Sequence, residues 1–282
     1  RSSWHNSCVS KQFPTYFISH GGGPWPWIVD QMPGDWSLLT ESLRAIPVDI
    51  GRAPKAVLCV SAHWETDVAT VQTDPSPSML YDYVGFPEST YSIQYPAPGS
   101  PEVAARVVEL LSGAGIAVRE DDRRGFDHGM FAPMFVAWPA ADVPILQLSI
   151  LQSFDVAAHL AIGRALAPLR DEDVLIIGSG FSFHNLRHFG PSGSEPSRQF
   201  DDWLAATMLD STPAQRTERL LHWDAAPSAR VAHAREDHLV PLFVAVGAAE
   251  QEAAVRTYYE NDFFGGWITS SSYRLGALPD RD

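Results

Sequence analysis

The stretch DVLIIGSG, residues 173–180, contains four consecutive large apolar residues and no alternation of polar and apolar side chains. A strand covered on one face alternates, whereas a strand covered on both faces is apolar throughout. The stretch therefore predicts an interior strand of a sheet, with helices packed on both of its faces.

Stretches with strand and helix patterns alternate along the rest of the chain. Further strands are predicted at residues 15–20, 55–64, 69–74, 116–121, 143–150, 254–261 and 267–276. Helices are predicted at residues 35–46, 100–115, 155–169, 196–208, 213–222 and 239–249. Residues 126–138 are predicted to begin as a loop and to continue as a helix. In the clearest helix Ser100 is the N-cap and Pro101 the first helical residue. This alternation predicts one α/β domain with a central mixed β-sheet flanked by helices on both faces.

Some segments carry more detailed expectations. The strand at 69–74 is expected to be more exposed than the others, and 254–261 and 267–276 are expected to be antiparallel edge strands. Residues 186–197, rich in Gly, Pro and Ser, are predicted to be a mobile loop. Residues 1–14 are expected to be an N-terminal arm, either flexible or partly foreign to the natural protein because the chain starts at Arg1, and residues 15–282 to be the domain itself.

Composition narrows the classes of partner. The chain has 282 residues, 45% of them hydrophobic, and a formal net charge of −14. A surface this acidic repels phosphate backbones and anionic lipids, so neither nucleic acid nor a membrane is an expected partner. No stretch has the ~18 apolar residues of a membrane span. Two cysteines in a chain of this length predict a cytoplasmic protein without a disulfide framework.

Three of the 10 histidines directly follow apolar strands. His20 ends FISH, His63 ends VLCVSAH, and His184 comes shortly after LIIGSG. Ligands of open α/β sheets bind beyond the carboxyl ends of the strands. A histidine bonded only to its neighbours is the simpler interpretation for any one of them, but three in the same topological place predict a shared site.

Two further stretches add candidate donors. RRGFDHGM places His128 in a connection, and AHAREDHLVPL places His233, Glu236 and His238 ahead of an apolar helix. Histidine is the commonest side-chain ligand of borderline transition metals. His20, His63 and one group from 233–238 can supply three metal ligands, which leaves His128 and His184 for proton transfer.

Taken together, six stretches resemble the class III extradiol ring-cleavage dioxygenases, and among them the 4,5-DOPA dioxygenase branch of plants and bacteria. They run in family order along nearly the whole chain: FISHGGGP, KAVLCVSAHWET, YPAPGSPEVAARV, RGFDHGMFAPM, ALAPLRDEDVLIIGSGFSFHNLR and HAREDHLVPLFVAVGAA. The chain departs from the plant enzymes after His184, where HNLRHFGPSGSEP lacks their His-Pro start and acidic run. That segment is expected to border the substrate.

The resemblance implies a role for each histidine. His20, His63 and His238 are implied metal ligands, His184 the acid/base residue beside substrate and dioxygen, and His128 a residue facing the substrate. The wider class has a glutamate as third ligand, so Glu236 and the adjacent Asp237 remain alternatives to His238. The implied reaction is Fe(II)-dependent cleavage of a small aromatic diol by O₂ to a muconic semialdehyde, with zinc able to occupy the site in isolated protein.

Two other functions use the same residues. A zinc hydrolase or amidase would use the three histidines to activate a metal-bound water. A non-catalytic binding module of the same fold is disfavoured, because His128 and His184 are present as well as the three ligands. The sequence leaves open whether the protein is a monomer or a homo-oligomer, and which catechol it takes.

Overall fold

The computed structural model describes residues 12–279. The stretch that opens the sequence analysis is strand β6 (Val174–Gly180), and all seven of its residues are buried. Residues 1–11 of the predicted arm lie outside the described residues. Phe13 is already part of the core, and its backbone N–H donates to the Arg170 carbonyl at 3.1 Å.

One mixed sheet contains all the strands among the described residues. In chain order they are β1 (Thr15–Ser19), β2 (Ala56–Thr66), β3 (Ala69–Gln72), β4 (Val118–Asp121), β5 (Ile145–Leu151), β6, β7 (Ala254–Asp262) and β8 (Ile268–Leu275). Their spatial order is β4-β3-β5-β2-β6-β1-β8-β7. The central strands β5, β2, β6 and β1 are parallel, so their carboxyl ends meet at one edge.

The helices connect these strands. They are α1 (Ser37–Ile50), α2 (Pro101–Gly113), α3 (His128–Ala137), α4 (Val156–Leu166), α5 (Pro191–Leu209), α6 (Pro213–Leu221), α7 (Ala229–Ala232) and α8 (Val240–Ala248), with a short helical turn at Phe263–Gly266. The Ser100 side chain accepts a hydrogen bond from the Val103 N–H, as expected of the N-cap of α2. No helix among residues 12–279 combines the length and the hydropathy needed to cross a bilayer.

Strand β6 shows directly that helices cover both faces of the sheet. A Cβ on Gly178 would lie 2.3 Å from the Pro241 carbonyl oxygen of α8, and one on Gly180 would lie 2.1 Å from the His238 carbonyl oxygen. The side chain of Ser179, between them, donates to the Gly129 carbonyl of α3. Successive strand residues point to opposite faces, so α8 and α3 lie on opposite sides of β6. The predicted fold class is confirmed.

Three local expectations are wrong. Strand β3 is fully buried; Gln72 donates to the Arg124 carbonyl at 2.7 Å, so its polar side chain is satisfied inside the protein. Strand β8 lies between β1 and β7, so of these two C-terminal strands β7 alone lies at an edge of the sheet. Residues 191–197 of the predicted loop are helical, because Pro191 fits the first turn of α5 and Gly193 lets that turn approach the His188 carbonyl, which a Cβ would meet at 1.9 Å.

Candidate metal centre

Five histidines meet at the carboxyl edge of the parallel strands. His20 directly follows β1, His63 belongs to the last part of β2, and His184 follows β6 by four residues. His128 is the first residue of α3, and His238 precedes α8 by two residues. The three histidines expected to meet at the strand ends, His20, His63 and His184, do lie together, and His128 and His238 join them from two helix starts.

A bulge in β2 directs His63 into the site. Ser61 pairs with Ser149 of β5, whereas Glu65 pairs with Ile150, so the residues from 62 to 64 have no partner on that strand. Pairing of β2 with β6 also ends at Ser61. Bulges re-aim a side chain by interrupting the ladder, and here the interrupted segment carries His63.

The buried carboxylate of Asp127 holds this bulge against α3. It accepts hydrogen bonds from Ser61 Oγ at 2.8 Å, Gln147 Nε2 at 2.6 Å and Arg124 Nη2 at 2.9 Å. It also caps α3 by accepting from the Met130 N–H at 3.2 Å. The residue after His128 must be glycine, because a Cβ on Gly129 would lie 2.7 Å from His63 Cδ2.

The first turn of α8 places His238 against β6. Its carbonyl accepts a hydrogen bond from the Phe181 N–H at 2.9 Å, and the close approach requires Gly180 beneath it. The two glycines of LIIGSG are therefore required, because a side chain at either position would keep the backbone at the start of α8 from contacting the strand.

Three imidazole nitrogens face one another at short range. The Nε2 atom of His63 lies 3.3 Å from His20 Nε2 and 3.3 Å from His238 Nε2. Nitrogen ligands bound to one metal at about 2.0–2.1 Å with near-tetrahedral angles are roughly 3.3 Å apart. The separations therefore match those of ligands to a common ion.

Carboxylates orient two of these rings from behind. His238 Nδ1 lies 2.8 Å from Asp237 Oδ2, and His63 Nδ1 lies 3.3 Å from Asp82 Oδ2. An ionised carboxylate only accepts hydrogen bonds, so the Nδ1 atoms carry the protons and both Nε2 atoms present lone pairs. Two lone pairs at 3.3 Å repel each other unless a cation lies between them. Carboxylate–histidine pairs of this kind are typical of metal sites.

The protonation states agree with a metal site. Burial lowers the pKa of His63 to about 3 and holds the pKa values of His20 and His238 well below the usual range, and neighbouring histidines lower them further. Burial alone would raise the pKa of Asp82, but the hydrogen bond from His128 lowers it to about 2. The imidazoles are therefore neutral at pH 7, which is the form that binds metals.

The two histidines predicted to transfer protons lie beside this group. His128 Nδ1 lies 2.8 Å from Asp82 Oδ1, and its backbone N–H donates to the same oxygen at 3.0 Å. The ring of His184 stacks on that of His238, with centroids 3.4 Å apart and planes 9° from parallel. Donor atoms from His20, His63 and His128 all lie within 4.8 Å of one another, as do those of His184, Asp237 and His238.

The other candidates lie elsewhere. Glu236, an alternative third ligand, pairs with Arg230 at 2.7 Å. His233 contacts the Ser182 carbonyl at 3.0 Å, and His159 accepts a hydrogen bond from the Leu151 N–H at 2.9 Å, so both have structural partners. Asp82 was not predicted from the sequence, because it lies in a stretch without regular structure and no motif marks it.

A cleft of about 490 Å³ opens above the histidines, and all five line it. Its other lining residues are mostly aromatic or aliphatic. They include Trp36, Tyr83, Phe86, Phe181, Phe189, Phe263 and Phe264. A cleft of this size and composition fits a small aromatic molecule.

Comparison with known proteins agrees with this geometry. The family described as the catalytic LigB subunit of aromatic ring-opening dioxygenase matches residues 14–271. The chain belongs to this family. It is therefore a class III extradiol dioxygenase, a family of oxidoreductases that open aromatic rings, as the sequence resemblance implied.

Relatives of the dioxygenase cover most of its length. A 4,5-DOPA dioxygenase extradiol from Beta vulgaris is 39% identical over 93% of this chain and 96% of its own. A protein named dioxygenase tasH from Hapsidospora irregularis is 38% identical over 89% of this chain and 82% of its own. The solved structure of an uncharacterized protein from Escherichia coli K12 superposes with a TM-score of 0.75 at 30% identity, over 94% of this chain and 100% of its own.

Proposed function

We propose that the dioxygenase is a non-haem Fe(II) enzyme that cleaves the ring of a catechol, DOPA-like or a related dihydroxyphenyl compound, with O₂ to give a muconic semialdehyde. The observation that carries the proposal is the 3.3 Å distance from His63 Nε2 to both His20 Nε2 and His238 Nε2, within an aromatic-lined cleft. The partners are then a small aromatic diol and O₂.

His20, His63 and His238 would hold the metal. Three protein ligands leave positions open for small molecules, which distinguishes a reactive site from a closed structural one. When bound, Fe(II) supplies a Lewis acid for the two catechol oxygens and a redox centre through which O₂ can react with the ring. Zinc would fit the same three imidazoles in isolated protein, because its bonds to nitrogen are about 2.0–2.1 Å long, which agrees with the separation of the nitrogens.

His128 is suited to accept the proton that a catechol hydroxyl loses on binding. Its Nδ1–H donates to Asp82, so its Nε2 carries a lone pair within the cleft. Asp82 also fixes the orientation of the ring, because it contacts both the ring Nδ1 and the backbone N–H of His128.

His184 is suited to move a proton at the reacting ring carbon and its oxygen substituents. Burial lowers its pKa to about 3, so the ring is neutral at pH 7. Its ring is held parallel to His238, and its backbone N–H donates to the Ala232 carbonyl at 3.0 Å. The ring therefore lies next to an expected ligand in a set orientation.

The aromatic lining positions the substrate and limits water. Phe181 contacts His20 with ring centroids 6.2 Å apart, and Tyr83 contacts His128 at 5.8 Å. Aromatic rings pack in edge-to-face or offset arrangements at such distances. A catechol ring bound between them would pack against these side chains in place of water. Cys59, a buried free thiol, agrees with the cytoplasmic location proposed for such an enzyme.

The proposal is tested by anaerobic loading with Fe(II) followed by a panel of catechols in air. We expect a yellow ring-opened product and consumption of one O₂ per catechol. His63→Ala should abolish both, whereas His222→Ala, at an exposed histidine, should leave both intact. If no catechol is consumed and the zinc-loaded protein instead hydrolyses esters or amides, the enzyme is a hydrolase and the proposal is wrong.

A further inference from the structure

The part of the cleft away from the histidines is lined mainly by apolar side chains. It is formed by side chains from four separate segments of the chain: Met32, Phe86, Leu186, Phe189, Phe263 and Phe264. Among the described residues that line the cleft there is no Lys, Arg, Asp or Glu. The wall thus offers no partner for a charged substituent.

Two nearby arginines, Arg124 and Arg235, are committed elsewhere. Arg124 donates to the Asp127 carboxylate and to the His63 carbonyl, both through Nη2 at about 3 Å. Arg235 pairs with Glu65. Arg187 is exposed and is not among the lining residues, although it follows Leu186. A carboxylate or ammonium entering this cleft would lose its hydration without gaining an ion pair, which is strongly unfavourable.

Phe264 is held in this wall at a backbone cost. Its φ and ψ are 54° and 58°, in the left-handed region that bulky residues rarely adopt. Gly265 and Gly266 follow it and also have positive φ. The turn packs closely on Gly34, where a Cβ would lie 2.8 Å from the Gly265 nitrogen. Strained residues persist where the surroundings enforce them and cluster at binding sites.

Phe189 joins this strained residue to the reactive end of the cleft. Its ring centroid lies 5.1 Å from that of Phe264, 6.1 Å from that of Phe181 and 6.5 Å from that of His184. The three phenylalanines therefore form a continuous wall from the proton-transfer histidine to the turn between β7 and β8. A substituent on a catechol held at the histidines has this wall beside it.

We propose, resting on the function proposed above, that the substrate is a catechol with an uncharged, apolar substituent, alkyl or aryl, which packs on Phe189 and Phe264. A catechol with an amino-acid or carboxylate side chain is disfavoured by the uncharged lining. An anionic substrate is disfavoured again by the net charge of −14, which repels it on approach.

The first test measures turnover of four compounds by the Fe(II)-loaded enzyme. Catechol has no side chain, whereas 4-butylcatechol, 3-(3,4-dihydroxyphenyl)propanoate and DOPA have side chains of similar length and different charge. Each buried methylene improves binding roughly fourfold, so we expect kcat/KM for 4-butylcatechol to exceed that for catechol by at least about 10-fold. The propanoate and DOPA should fall below 4-butylcatechol by a similar factor or more.

Substitutions of Phe189 and Phe264 test whether these side chains cause the preference for 4-butylcatechol. Phe264→Ala and Phe189→Ala should each bring the ratio of kcat/KM for 4-butylcatechol over catechol towards one, while Phe264→Leu should keep most of it. Phe264→Arg should raise the relative kcat/KM for the propanoate. Trp267→Ala is the matched control, because this exposed neighbour in the same turn does not line the cleft and should leave the ratio unchanged.

Calorimetric titration of the zinc-loaded protein separates this inference from the proposed function. Tighter binding of 4-butylcatechol than of the propanoate supports the apolar substituent, even if no catechol is cleaved and the dioxygenase proposal fails. If the enzyme cleaves DOPA or the propanoate with higher kcat/KM than 4-butylcatechol, or if the Phe189 and Phe264 variants keep the ratio, the inference is wrong and the function stands.

Discussion

Asp82 binds His128 twice, through the ring Nδ1 at 2.8 Å and through the backbone N–H at 3.0 Å. The other oxygen of the same carboxylate lies 3.3 Å from His63 Nδ1. One partly buried carboxylate therefore orients both an expected metal ligand and an expected proton acceptor. A change at Asp82 is expected to disturb metal binding and proton transfer together.

Asp82→Asn should weaken metal binding by about 10–100-fold, the usual cost of losing a carboxylate behind a ligating histidine. The affinity is measured for zinc by competition with a chelator, so the result does not depend on turnover. Asp122→Asn, at an exposed carboxylate, is the matched control and should leave the affinity unchanged. Wild-type affinity in Asp82→Asn would show that Asp82 does not orient a ligand.

Single alanine substitutions of His20, His63 and His238 should each abolish stoichiometric metal binding, because each removes one of the three nitrogens that meet at His63 Nε2. Metal content of the purified variants is measured by elemental analysis, with circular dichroism to confirm folding. Glu236→Ala should keep full metal content, since Glu236 pairs with Arg230. If His238→Ala retains metal and Glu236→Ala loses it, the third ligand is the carboxylate.

His184→Ala should keep the metal and bind catechol, yet lose about 10²–10⁴-fold in turnover, the usual contribution of an acid/base group. His184→Gln should not restore turnover, because an amide forms hydrogen bonds but does not carry the proton. Metal content, catechol affinity and kcat are measured on both variants. Near-normal kcat in His184→Gln would mean that the side chain only braces the stack on His238.

Gly129→Ala should displace His63 and lower metal affinity, because the new methyl would lie 2.7 Å from His63 Cδ2 and 2.9 Å from Ser61 Oγ. Gly113→Ala is the control, since its helical glycine has nothing within 4 Å. There the higher helix propensity of alanine should leave stability unchanged or raise it by up to about 1 kcal/mol. Equal metal affinity in both variants would contradict the close fit at Gly129.

Acid should destabilise the fold through His159, a buried histidine away from the metal centre. Burial lowers its pKa to about 4, below the ~6.5 of an unfolded histidine. The unfolded chain therefore binds more protons between these values, and stability falls as the pH drops from about 6.5 to 4. The loss attributable to this group is about 3 kcal/mol at pH 4.

Urea unfolding at pH 7 and pH 4 measures this loss. In His159→Gln the free energy of unfolding should differ less between pH 7 and pH 4, by about that amount. The amide keeps hydrogen-bonding groups near the Leu151 N–H and does not titrate in this range. An unchanged difference would assign the acid sensitivity to other groups.

The sequence alone determined the layered fold and most of the candidate site. A short uninterrupted apolar stretch such as 174–177, followed by glycines, is typical of a strand covered on both faces, and a Ser-Pro pair before an amphipathic stretch marks the start of a helix. Parallel strands end at one edge, so His20, His63 and His184 were expected to meet there. These patterns are local or topological, and hence readable along the chain.

Tertiary structure alone decided the details that depend on side chains distant in sequence. The bulge that directs His63, the carboxylate of Asp82 behind it and the strained Phe264 in the cleft wall each arise from contacts between separate elements. The first turn of α5 was predicted as a loop from its Gly and Pro content, yet contact at Gly193 makes it helical. The type of a residue limits the backbone conformations that it can adopt, whereas packing against residues distant in sequence determines which of these conformations forms.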